Sequence, residues 1–152
     1  MANTQALATS FKTELLNGIH AFGTSVVRGG TGADSFKAAL YLTTATLGAA
    51  TTAYSSTNEL SATGGYTAGG NTVTNATAPS NSGTTAFWTP SAQIQWTGFT
   101  SSGSFDAVLI YNSTQSNKAV GVWTFGAQSI TAGTFNLTMP TNDATHALIQ
   151  LA

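Results

Sequence analysis

The apolar positions of this chain fall in short runs of period two, separated by clusters of Ser, Thr, Asn, Gly and Pro. That is the pattern of strands joined by turns. Its strongest instance is residues 104–125. Ser-Phe-Asp-Ala-Val-Leu-Ile-Tyr leads into the polar loop Asn-Ser-Thr-Gln-Ser-Asn, and then Lys-Ala-Val-Gly-Val-Trp-Thr-Phe follows. Two runs rich in β-branched and aromatic residues around a polar loop predict a β-hairpin with a longer-than-minimal turn. On the first arm Phe105, Ala107, Leu109 and Tyr111 share one face, while Val108 and Ile110 make the other face apolar too. A strand covered on both sides belongs in the middle of a fold. On the second arm alternation puts Ala119, Trp123 and Phe125 on one face and Val120 and Val122 on the other.

The same reading runs along the rest of the chain. Residues 36–42 alternate Phe36, Ala38, Leu40 and Leu42 and predict the first main strand. Residues 71–76, 84–89, 92–99, 133–139 and 147–151 predict further strands, with a short edge piece at 128–130. Residues 79–83 and 140–145 read as turn clusters. Residues 43–61 read as a polar excursion with at most a helical turn. Residues 64–70, Gly-Gly-Tyr-Thr-Ala-Gly-Gly, read as flexible backbone around one aromatic. Only residues 4–17 carry a helical signal: Leu7, Phe11 and Leu15 form a stripe spaced by four, Thr4 is placed to cap it, and Asn17-Gly18 to stop it. The expectation is an all-β, single-domain β-sandwich or jelly roll over residues 1–152. It has about eight short strands and one amino-terminal helix, within residues 1–22, docked on it.

Composition narrows the function. Of 152 residues only 6% are charged, against roughly 25% in an ordinary domain. The net charge is -1 and no basic cluster exists, so no nucleic-acid partner is expected. There is no Cys, which removes disulfides, thiolate metal sites and cysteine nucleophiles. No apolar run reaches the length of a membrane span, and no basic region followed by an apolar core marks a secretory leader. The Asn-x-Thr triplets at Asn75, Asn112 and Asn136 read as chance matches in a Thr-rich chain.

Candidate chemistry is sparse. Arg28-Gly29-Gly30-Thr31-Gly32-Ala33-Asp34 lacks the Gly-Lys-Ser/Thr ending of a phosphate loop and reads as a turn. His20 and His146 are the only histidines, and neither has a carboxylate at metal-ligand spacing. No Gly-x-Ser-x-Gly elbow is present. Asp106 and Asp143 are conceivable as a glycosidase pair. Yet Asp143 fits an Asn-Asp turn, and Asp106 in a β run needs a partner, for which Lys118, Gln95 or a backbone N–H are available. No catalytic, cofactor-binding or metal residue is therefore assigned, and no cofactor. Trp88, Trp96 and Trp123 suit a core or an interface better than a sugar platform, which needs two exposed and coplanar indoles. With Phe11 they are the candidate interface residues.

Several stretches, in order along nearly the whole chain, resemble a family of small tailed-bacteriophage virion proteins. They are Ser10-Phe11-Lys12 with Glu14-Leu15-Leu16-Asn17-Gly18-Ile19-His20, Asp34-Ser35-Phe36-Lys37-Ala38-Ala39-Leu40-Tyr41 and Thr51-Thr52-Ala53-Tyr54. Thr57-Asn58-Glu59-Leu60, Gly65-Tyr66-Thr67-Ala68-Gly69-Gly70, Leu109-Ile110-Tyr111-Asn112 and Ala147-Leu148-Ile149 complete the set. The resemblance implies a capsid decoration, or cement, protein on the virion head. It would be a non-enzymatic homotrimer bound to the major capsid protein. The Gly29 to Gly32 segment departs from the pattern and is similar to turns of phage tail fibres, which leaves a tail-associated receptor- or carbohydrate-binding module as the alternative.

Overall fold

The structure, a computed structural model, describes residues 2–16, 18–24, 33–61 and 64–152. Asn17, Arg28 and the Gly29 to Gly32 turn lie outside the described residues. The chain is all-β, as its alternation predicts. Among the described residues there are one short helix and ten strands, where about eight strands were expected, because several are only two or three residues long. They are β1 (Ala6–Leu7), β2 (Phe36–Leu42), β3 (Asn71–Val73), β4 (Ser80–Ser82), β5 (Thr85–Trp88), β6 (Ile94–Phe99), β7 (Phe105–Asn112), β8 (Lys118–Gln128), β9 (Gly133–Leu137) and β10 (Ile149–Leu151). The helix α1 spans Thr9–Leu16.

The main sheet has the order β1-β8-β7-β2-β3, and smaller sheets have the orders β10-β5-β4 and β6-β9. All pairings are antiparallel. The predicted hairpin, β7 with β8, lies at the centre, and β7 is flanked on its other side by β2. Phe105, Ala107, Val108, Leu109 and Ile110 are essentially without solvent contact, so both faces of β7 are covered. The β7–β8 register shifts twice, between Phe105 and Ala107 and between Ile110 and Tyr111. At the second shift alternation in β8 fails, so Ala119 sits opposite Tyr111 while Val122 sits opposite Leu109. Ala119 therefore shares a face with Val122 rather than with Trp123. One extra residue in a bulge is enough to invert a period-two reading.

One face of the main sheet carries Phe36, with Phe22 stacked on it at 4.6 Å between centroids and Trp88 tilted against both. At the far end of the sheet Phe105 meets Phe99, Phe125 and Phe135, which joins the β6–β9 pair to it. The opposite face is covered by residues 43–61. This excursion makes no helical turn. It hydrogen-bonds the outer edge of β8 through Ala119 N–H to Thr52 O and Tyr54 N–H to Asn117 O. It then crosses under β7, where Tyr54 stacks on Tyr111 at 4.7 Å. It ends along the outer edge of β2, with Leu60 N–H bonded to Leu40 O and Leu42 N–H to Asn58 O. The excursion is a strap laid across the sheet.

Three further expectations are corrected. The helix begins at Thr9 rather than beside Thr4, because Ala6–Leu7 pairs with Val122 and Gly121 on the open edge of β8. Leu7 thus leaves the helical stripe. The end of the helix holds: Gly18 N–H bonds Leu15 O and Ile19 N–H bonds Glu14 O, the Schellman pair, with Gly18 at φ 66°. Ser80–Ser82, expected as turn, is a strand on β5, exposed throughout and so without an apolar signature. Residues 64–70 are packed closely. A Cβ on Gly70 would lie 1.8 Å from Ala38 O and one on Gly65 1.6 Å from Thr97 O, so glycine is what lets this segment touch the sheet.

Candidate functional site

Three buried carboxylates, those of Glu14, Asp34 and Glu59, organise the polar interior. Glu14 projects from α1 toward the end of the central hairpin. Its Oε1 accepts from Lys118 Nζ at 2.6 Å and its Oε2 bonds His20 Nε2 at 2.8 Å. The Schellman turn folds residue 20 back over residue 14, which is how a pair six apart meets. His20 is enclosed by rings: Phe11 edge-on at 4.9 Å, and Phe22 and Phe36 stacked. On its other nitrogen, Nδ1, lies Asn112 Nδ2 at 3.2 Å. Asn112 is fully buried, donates to Asp34 Oδ2 at 2.8 Å, and accepts from the backbone N–H of Thr114 and Gln115. Asp34 also accepts from Ala21 N–H and from the Gln115 amide. Burial pushes the Glu14 carboxyl up, but hydrogen bonds from Lys118 and His20 outweigh it and hold the group below its ordinary value. For His20 burial dominates and lowers the imidazole, against the pull of Glu14 and Asp34.

Glu59, in the strap, is held differently. Tyr54 donates to Oε2 at 2.6 Å, and Tyr66 and the Gly69 N–H donate to Oε1 at 2.8 and 2.7 Å. Tyr66 in turn accepts the Leu40 N–H on the edge of β2, and Tyr111 donates to Gly69 O. Tyr41, the last of the four tyrosines of the chain, donates to Ser55 O. Burial, with Glu59 close by, raises all four phenols above their ordinary value.

The remaining acids are also engaged. Asp106 accepts from Asn3 Nδ2 at 2.6 Å, which is none of the partners that the sequence suggested. The residue that satisfies it arrives from the other end of the chain. Asp143 caps its own turn through the N–H groups of Thr145 and His146 and the Thr145 hydroxyl, as an Asn-Asp turn predicts. Those bonds hold its carboxyl far below the usual range. His146 is bonded to Asp143 and largely exposed. Neither aspartate meets the other in a shared site. Among the described residues no three His, Asp or Glu gather as a metal-binding group, and no helix is long and apolar enough to cross a membrane.

The candidate interface residues are placed unevenly. Phe11, Trp88 and Trp96 are at most 2% exposed and pack inside the chain itself, so they offer no surface to a second molecule. Trp88 Nε1–H donates to Thr77 O at 2.8 Å. Their burial follows from the thinness of the small sheets, which need large side chains to fill the space over the main one. Only Trp123 keeps an exposed part. Its ring lies against Gly121, where a Cβ would come within 2.9 Å of it, with Leu7 alongside. The Asn-x-Thr triplets divide likewise. Asn75 bonds Gly23 and Asp34, Asn112 is buried, and Asn136 is exposed and paired with Gln95. An open groove of about 510 Å3 runs between Thr77, Thr89, Pro90, Gln93, Met139 and Asn142. None of the residues lining it is aromatic or titratable.

Sequence reasoning missed both carboxylate clamps. A weak signal existed for one: Glu14 and His20 flank a helix stop, which folds the chain back. Compared with family models, curated proteins and solved structures, the chain matches none.

Proposed function

We propose that this chain is a structural subunit of a bacteriophage virion, a decoration protein seated on the major capsid protein of the head. The observation that carries the reading is that all five carboxylates are committed to holding the chain's own segments in place. The interior chemistry is that of a clamp. The outward surface that remains is nearly neutral. On the β6–β9 pair it presents Gln95, Thr97, Thr134, Asn136 and Thr138, all exposed. Hydroxyl and amide groups cost little to desolvate beside Lys and Glu, and they form neutral hydrogen bonds across an interface. With little charge to keep copies apart, self-association follows, and the resemblance gives it as a homotrimer.

The alternative, a carbohydrate-binding module of the tail, keeps a single partly exposed indole, Trp123, where a stacking platform needs at least two. The decisive experiment mixes the purified protein with capsids assembled from the major capsid protein and sediments them. Saturable co-sedimentation, with density on the head in a particle map and a trimer by light scattering, is expected. A protein that stays in the supernatant and maps to the tail, or to no part of the particle, removes the reading.

A further inference from the structure

We propose that the Glu14–His20–Asn112 chain, with Lys118 and Asp34 at its ends, is an acid-opened latch that holds residues 3–16 and 18–23 on the main sheet. The inference is independent of the virion reading. It rests on which atoms donate. Asn112 cannot rotate its amide: Oδ1 takes two backbone N–H groups, from Thr114 and Gln115, and Nδ2 gives a proton to Asp34. Its N–H therefore faces His20 Nδ1, which has to be an unprotonated acceptor. The single ring proton sits on Nε2 and goes to Glu14. A second proton would land on Nδ1 and set a donor against a donor. Reversing the amide would break both backbone bonds and turn its oxygen on the Asp34 carboxylate.

Among the described residues the charged groups around the ring come from different elements: Glu14 from α1, Asp34 from the lead-in of β2 and Lys118 from β8. Glu14 and Asp34 attract the second proton. Lys118 opposes it, as does enclosure by Phe11, Phe22 and Phe36, and the balance keeps the ring neutral at pH 7. What the latch holds is weak by itself. Helix α1 has eight residues and β1 two, and isolated helices shorter than about 12 residues are marginal. Protonation thus releases the segment as a local unit, ahead of the sheet. Release uncovers the rings of Phe22 and Phe36 and the edge of β8 at Gly121 and Val122.

The test is hydrogen–deuterium exchange of the full chain from pH 7.5 to 5.0, corrected for the intrinsic exchange rate. Linkage of one proton gives about a tenfold loss of protection per pH unit below the ordinary histidine value, until His20's own value is passed. That loss is expected in α1 and β1, with β2 and β7 unchanged. His20→Gln keeps a neutral donor and acceptor, so its profile over the same range should be flat. A wild-type profile without the acid step overturns the proposal, whether or not the variant folds. So does nitrogen NMR of the ring showing the proton on Nδ1 at pH 7, or an acid step that persists in His20→Gln.

Discussion

Glu14 and Glu59 are equally buried, at 7% exposure each, yet they are satisfied in opposite ways. Glu14 is met by a cation and an imidazole, both of which titrate or reach solvent. The Lys118 side chain is 36% exposed. Glu59 is met by two phenols and a backbone N–H, neutral donors of which only the Tyr54 hydroxyl belongs to a partly exposed residue. The first clamp fixes an amino-terminal segment to one face of the sheet, and the second fixes residues 43–61 and 64–70 to the other. A carboxylate paired with a mobile charge makes a contact that conditions can undo. One caged by neutral donors makes a contact that is permanent while the protein is folded.

The largest expected effect breaks the caged side. Glu59→Ala leaves the Tyr54 and Tyr66 hydroxyls and the Gly69 N–H without their acceptor, inside a region closed by Tyr111 and Tyr41. At about 1–3 kcal/mol for each orphaned buried group, partly relieved where Tyr54 reaches water, the loss should be about 3–5 kcal/mol by denaturant unfolding. Glu14→Ala should lose less, about 1–3 kcal/mol, because Lys118 can turn to solvent and only the His20 N–H is stranded. A Glu14 variant that loses more than the Glu59 variant would reverse the comparison.

The two clamps should also fail at opposite ends of the pH range. His20 has its folded-state pKa below the unfolded value of 6.5, so the unfolded chain binds the extra proton. Stability from this group is complete above 6.5 and falls as the pH drops toward the folded value. Glu14, held below 4.5, adds a second loss under that pH. The tyrosines are shifted the other way. With folded-state values raised above 10.0, their contribution is complete below pH 10 and is lost as the pH climbs toward those values. Melting temperature against pH should therefore show an acid shoulder, removed by His20→Gln, and an alkaline shoulder, reduced by Tyr54→Phe. A curve in which Tyr54→Phe alters the acid shoulder instead would show that the clamps are one unit.

What the sequence carried of this picture divides along the same line. The sheet between the clamps was readable: the alternation at Phe36, Ala38 and Leu40 and the double-sided run at Val108, Leu109 and Ile110 state burial directly, because neighbours along a strand report its two faces. The short pieces were not. Ala6–Leu7 is a strand only because β8 offers an edge, and Ser80–Ser82 has no apolar residue with which to announce itself. The clamps were invisible for a different reason. Glu14 and Lys118 are separated by 104 positions and Asn112 and Asp34 by 78, and a hydrogen bond leaves no periodicity. The aromatic residues were legible only in part. Trp88 and Trp96 read from sequence as core or interface without a choice between the two, and they fill a core built of small sheets.

The smallest effect is expected at Asp143, which serves as the exposed counterpart of the two clamps. Its carboxylate makes more hydrogen bonds than that of Glu59 does, and those bonds hold its pKa far below the usual range. Yet the turn it caps lies at the surface, where water replaces each partner and salt screens the charge. A depressed pKa there reports local hydrogen bonding more than it reports a contribution to folding. Asp143→Asn keeps an acceptor for the Thr145 and His146 N–H groups, so the melting temperature should stay within error of the wild type. The turn also bonds Ala147 N–H to Asp143 O, just ahead of β10. A measurable drop in Asp143→Asn would mean that the turn transmits its order into β10 and its pairing with β5, and that the charge of a carboxylate matters here without burial. An unchanged melting temperature, beside the losses at Glu14 and Glu59, would show that enclosure rather than the number of partners separates a clamp from a cap.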